Sequence, residues 1–219
     1  MASQIKSSIT HQSDAEVPRL RAAVSASVDV LQRDLLQSNN QASQSRARAV
    51  LAQLRKYGSS PLATQPLALE EVLLLLRPSL SERELGRGDS PSPSELAAFH
   101  ALTTFGVHMQ GVTMPMHTPN QSFASSCGRF YTQSESKSSK PRFDAMMVSS
   151  DDTARLIHIR SLVTLLRGIN QGFDYGWFAQ DLRVLLSPTQ SQDQYHRRQG
   201  VLLRWGRDFA TGAYTSANS

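Results

Sequence analysis

The basic residues carry the pattern with most chemical content. Arg46, Arg48, Arg55 and Lys56 fall in a stretch, 41–60, that has no acidic residue. Arg48 and Arg55 are seven positions apart, and so are Arg160 and Arg167. On a helix at about 100° per residue, seven steps return a side chain to nearly the same direction. Arg129, Lys137, Lys140 and Arg142 gather on or beside a serine-rich stretch. A guanidinium meets a phosphate with two parallel N–H donors, and serine hydroxyls add neutral ones. Together these residues point to binding of nucleic-acid backbone. Phe130, Tyr131 and Phe143 are the nearby aromatics, so phosphate tracking is expected more than base reading.

Other chemistries find little support. The sequence has no phosphate-cradling glycine loop, no HExxH pair and no nucleophile elbow. His100 and His108 share a helix face but lack a third ligand, and read as a partly buried pair. His117 and Cys127 have no supporting acid, and the lone Cys127 reads as a small buried thiol. Asp151 and Asp152 are placed to cap a helix rather than to act as an acid/base pair. No catalytic residue, metal or cofactor is expected.

Composition agrees with an anionic partner. The net charge is +5 with a pI near 9.7, and residues 101–219 carry 12 Lys+Arg against 8 Asp+Glu. The longest apolar run, Val72 to Leu76, is far short of the ~20 residues that span a bilayer. The N-terminus has no charged-then-apolar signal pattern, so a cytoplasmic protein is expected.

The elements that must position these residues are all helical. Val17, Leu20, Val24, Val28, Leu31 and Leu35 repeat at three and four. A polar loop, Gln37–Gln44, precedes a helix capped by Ser43 or Ser45 and stopped at Gly58. A helix over 67–77 ends at Pro78, and 79–93 is a charged loop. Ser92, Pro93 and Glu95 spell a capping box. A short helix over 122–131 and a flexible basic loop over 132–141 follow. Helices then start at Asp151 or Asp152 and at Asp174, and the last carries Trp205 and Phe209 into the core. No stretch alternates as a strand would. The expectation is an all-α, two-lobed helical bundle: a tail at 1–12, an N-terminal lobe at 13–115, a C-terminal bundle at 116–212 and a tail at 213–219.

An ordered set of segments resembles the CasB family, the small subunit of the type I-E CRISPR Cascade complex. Leu156-Ile157-His158-Ile159-Arg160-Ser161-Leu162-Val163-Thr164-Leu165-Leu166-Arg167 is similar to the family's "hLRgLVrLLR" helix. Arg142-Phe143 matches a basic-Phe pair upstream. Asp174-Tyr175 through Asp181-Leu182 resembles "lDyarLarDLl". Leu203-Arg204-Trp205-Gly206-Arg207-Asp208-Phe209 resembles the terminal "rWaRdF". Ser45-Arg46-Ala47-Arg48-Ala49-Val50-Leu51 is similar to "draRLRRa", and Ser126-Cys127-Gly128-Arg129-Phe130 to the "sfGrAL" turn. The likeness spans roughly residues 14–210. Ala49 and Val50 stand where the family often has further basic residues.

The resemblance implies a non-enzymatic Cascade subunit that lies head to tail with a second copy of itself. Its further partners would be the backbone and large subunits, the guide RNA and the target DNA, including the displaced single strand of the R-loop. Guide pairing reads sequence in such complexes, so a helper subunit needs only charge and shape. Two other classes fit a basic helical chain: a helix-turn-helix regulator, whose compact trihelical unit is not visible here, and an adaptor whose basic faces bind protein.

Overall fold

The helical periods become nine α-helices in a computed structural model that describes residues 19–135 and 137–217. They are α1 (Leu20–Leu36), α2 (Gln41–Tyr57), α3 (Pro66–Leu75), α4 (Pro93–His108), α5 (Phe123–Gln133), α6 (Ser139–Val148), α7 (Asp152–Gly168), α8 (Tyr175–Leu185) and α9 (Gln192–Ala217). One 3-10 turn, Leu62–Thr64, leads into α3. Among the described residues the extended structure is a single bridge between His117 and Phe173. The tail expected at 1–12 lies outside the described residues.

Local chemistry sets most helix ends. Ser92 Oγ accepts from the Glu95 amide at 3.1 Å while the Glu95 carboxylate accepts from the Ser92 amide at 2.6 Å, closing the expected capping box. Asp151 caps α7 through the amides of Thr153 and Ala154, and Asp174 caps α8 through that of Trp177. The start of α2 differs from expectation. Asn40, not Ser43 or Ser45, supplies the cap, with its Oδ1 2.9 Å from the Ala42 amide. An asparagine before three further helix-compatible residues captures the first free amide, and the serines are wound into the helix. α1 has no cap from its own flank. Glu84 supplies one from the 79–93 loop, accepting from the amides of Arg19 and Leu20 at 2.8 and 3.0 Å.

α4 is the central helix. From Ala97 to Met109 all but His100 are buried, and α1, α2, α3, α7 and α8 pack around it. α5 and α9 form a second close pair, bridged to α4 by α7 and α8. An aromatic cluster joins the parts: Phe123 lies 5.2 Å from Phe173 and from Phe178 and 5.4 Å from Trp205, and Phe173 stacks on Tyr175 at 4.4 Å. One run of buried residues therefore extends from Leu20 to Phe209. Trp205 and Phe209 are in it, as their spacing predicts.

Candidate nucleic-acid interface

Two separate basic regions result. The first lies on α2 and the ends of α4 and α7. Gly106 lets α2 and α4 approach closely: a Cβ there would sit 2.9 Å from Leu54 Cβ and 3.1 Å from the Arg55 amide nitrogen. That crossing places Arg48 and Arg55 over the end of α4. Both line a cleft of about 640 Å³ with Leu35, Leu36, Gln110 and Thr113, and none of its lining residues is acidic. Arg48 reaches Gln44 Oε1 at 3.4 Å, and the Arg55 side chain has no partner among the described residues. Arg46 and Lys56 are exposed on the same helix but do not line the cleft.

The seven-spaced pair on α7 is engaged differently. Arg167 donates to Gln110 Oε1 at 2.9 Å and reaches the Val107 carbonyl at 3.5 Å. It thus stands at the rim of the Arg48–Arg55 cleft. Arg160 donates to the Gly58 carbonyl at the end of α2, and burial lowers its pKa. Each guanidinium serves a helix C-terminus, where free carbonyls and the helix dipole favour a cation.

The second region sits at the turn between α5 and α6. The segment 132–141, expected as a loop, is helical from Ser139 onward. Pro141 is tolerated there because the first turn of a helix has no use for its missing N–H. Lys137 donates to the carbonyls of Tyr131 and Thr132 at 2.9 and 3.3 Å, closing the end of α5. Lys140 pairs with Asp144 at 2.6 Å, and Arg142 reaches Ser138 Oγ at 3.3 Å. Arg129 is half-buried, without a side-chain partner among the described residues. Phe130 and Phe143 are buried, and Phe143 packs 4.4 Å from Phe209. Tyr131 is partly exposed under Lys137. No hydrogen bond, ion pair or ring contact joins the two basic regions among the described residues.

The other candidate groups are tied into the fold. Asp152 pairs with Arg198 at 2.6 Å. His108 is fully buried with Nδ1 3.0 Å from the Tyr175 hydroxyl, and His117 Nδ1 accepts from the Tyr175 amide at 3.0 Å. Burial pushes the Cys127 thiol well above its ordinary pKa. No group of three His, Cys, Asp or Glu able to hold a metal occurs among the described residues, nor any helix long and apolar enough to cross a membrane.

One buried polar network joins α8 to α9. Asp181 of α8 is buried by its surroundings, which raises its pKa, while Arg204 and Trp205 of α9 hold it by hydrogen bonds that pull the other way. Trp205 Nε1 lies 2.6 Å from Asp181 Oδ2. The segments carrying these residues were visible as separate motifs, but their contact is not visible in the sequence.

Comparison with known proteins follows the same lines. The crystal structure of CasB from Thermobifida fusca superposes with a TM-score of 0.64 at 24% identity, covering 89% of this chain and 99% of that one, which establishes the shared fold. Comparison with curated protein sequences finds no match. The family model described as CRISPR-associated protein Cse2 matches residues 50–209, from the middle of α2 to the last third of α9. With most of the chain covered and the helical architecture shared, this protein belongs to the CRISPR-associated Cse2 family, also called CasB.

Proposed function

We propose that the chain is a non-catalytic small subunit of a type I-E Cascade complex and that it holds nucleic-acid backbone in the Arg48–Arg55 cleft. Membership of the CRISPR-associated Cse2 family supports the place in Cascade. One observation carries the rest: two arginines line an acid-free cleft, and a third, Arg167, stands at its rim. A strand of guide RNA or of opened target DNA fits such a surface, because phosphates need charge and donors but no base-specific contact. Arg46 and Lys56 extend the positive surface along α2. Arg129, Lys137, Lys140 and Arg142 offer a second contact from residues 116–212, while the cleft belongs to residues 13–115. A second copy, head to tail, would continue the track.

The test belongs in the assembled complex. With Arg48→Ala and Arg55→Ala combined, opening of a matched target should weaken equally for all sequences. The salt slope of single-strand binding should fall by about 0.7 for each lost contact. Unchanged opening with an unchanged slope would overturn the cleft as the binding site. A fixed operator preference would favour a regulator instead.

A further inference from the structure

The Arg48–Arg55 cleft has more apolar wall than a clamp for phosphate needs. On α2, Arg48, Ala52 and Arg55 follow one another at four and three and share a face. The small, exposed Ala52 leaves the space between the two guanidiniums open. Leu35 and Leu36, at the end of α1, and Val112, in the turn after α4, line the same cleft. All three pack on the core yet are only half-buried, so part of each side chain is left to the cleft. Gly111 brings Val112 there, with a φ of 73° that other residues rarely adopt.

A phosphate gains nothing from leucine or valine. Apolar side chains beside it displace water that would solvate its charge. The wall makes sense for the part of a strand that lies between phosphates. Seven helix steps put Arg48 and Arg55 about 10 Å apart along α2, so the pair addresses two phosphates rather than one. What lies between two phosphates is a sugar with its base. An unstacked base is a flat body with two apolar faces, and leucine side chains are among those that wedge against such faces. The cleft, at about 640 Å³, falls in the size range of small-ligand sites. In a duplex those faces are hidden in the stack, and the grooves show only base edges.

We infer that the cleft takes an unstacked base together with its flanking phosphates: Arg48 and Arg55 hold the backbone while Leu35, Leu36 and Val112 cover the base. This rests on the function proposed above and names the form of nucleic acid that the cleft accepts. The site selects single strands over duplex. It does not read sequence, because every base has a face to offer.

Two labelled strands of equal length test the inference, one of thymidines and one of abasic residues with the same phosphates. Each is titrated onto the full chain and onto the assembled complex over a series of salt concentrations. The base-bearing strand should bind roughly fivefold more tightly, the lower end for one stacked base, with the same salt slope. Leu36→Asn keeps both arginines. It should remove the preference and leave the binding of the abasic strand and of a duplex as they were. Val112→Thr keeps the shape of the side chain and should reduce the preference, and it decides the matter if Leu36→Asn does not fold.

Equal affinity for the two strands, lost on substituting Arg48 and Arg55, would overturn the base contact and leave the cleft as a phosphate clamp. A preference untouched by both Leu36→Asn and Val112→Thr would also overturn it, because the bases would then be held elsewhere. Strand binding that ignores Arg48 and Arg55, or no strand binding at all, would remove the proposed function and this inference with it.

Discussion

Arg160 and Gly58 stand 102 positions apart in the chain, yet Nη1 of the arginine donates to the main-chain carbonyl of the glycine. Gly58 ends α2, and its own amide turns back to Leu54 and Lys56. Arg160 thereby fastens the last turn of α2 to α7. It is a strut between helices as well as a positive charge.

Replacing Arg160 by Ala should therefore destabilise the fold by about 1.5–3 kcal/mol, the range for a hydrogen bond from a charged group. Arg48→Ala, on an exposed side chain, should stay within about 0.5 kcal/mol of the parent. Urea unfolding with an unchanged slope reads both. Equal stability of the two variants would mean that the Arg160–Gly58 contact contributes nothing.

The second prediction concerns acid. His108 is buried, which lowers its pKa to about 3, and the charge of Arg167 acts in the same direction. The folded value lies below the ordinary 6.5, so the unfolded chain binds the proton more tightly. Stability from this group is complete above pH 6.5 and is lost as pH falls toward 3. By pH 5 the loss should reach about 2 kcal/mol, at 1.36 kcal/mol per unit. His108→Gln should flatten the drop between pH 7 and pH 5 in urea unfolding, even if it lowers stability throughout. An unaltered pH dependence would locate the acid sensitivity elsewhere.

A third prediction follows from the crossing of α5 and α9. A Cβ on Gly128 would lie 2.9 Å from the Ala213 amide nitrogen and run into the Phe209 carbonyl, and one on Gly212 would meet the backbone of Ser125. Backbone cannot step aside as a side chain can. Gly128→Ala should cost about 3 kcal/mol, the upper end of overpacking losses. Gly212→Ala acts on the same crossing, so the double variant should lose less than the sum. Circular dichroism and thermal midpoints measure this, and a neutral Gly128→Ala would show that the helices can separate freely.

Gly128 also shows where sequence reading reached its limit. The helix expected over 122–131 is present as α5, but the need for a small residue in its middle, set by the backbone of α9, has no local signal. Caps written into adjacent residues were legible: Ser92 with Glu95, Asp151 and Asp174 all act as their positions suggest. The start of α6 is not, since Ser139-Lys140-Pro141 looks like a loop and the helix is anchored on the core further along, by Phe143, Met146 and Met147. In the basic set, the shared direction of Arg48 and Arg55 could be read from a spacing of seven. The engagement of Arg160 and Arg167 could not, because their partners come from other helices far along the chain.

The packing of α1 against α8 has a consequence for biosynthesis. The apolar stripe of α1, with Leu20, Ala23, Val24 and Val28, leaves the ribosome well before α8. Its cover is not made until Tyr175–Leu185 has followed. Until then that stripe has only part of its final neighbours, and nascent chains in this condition are open to aggregation. Such a chain gains its native state late and as a whole, so a ribosome stalled before α8 would hold a sticky intermediate and not a finished N-terminal half.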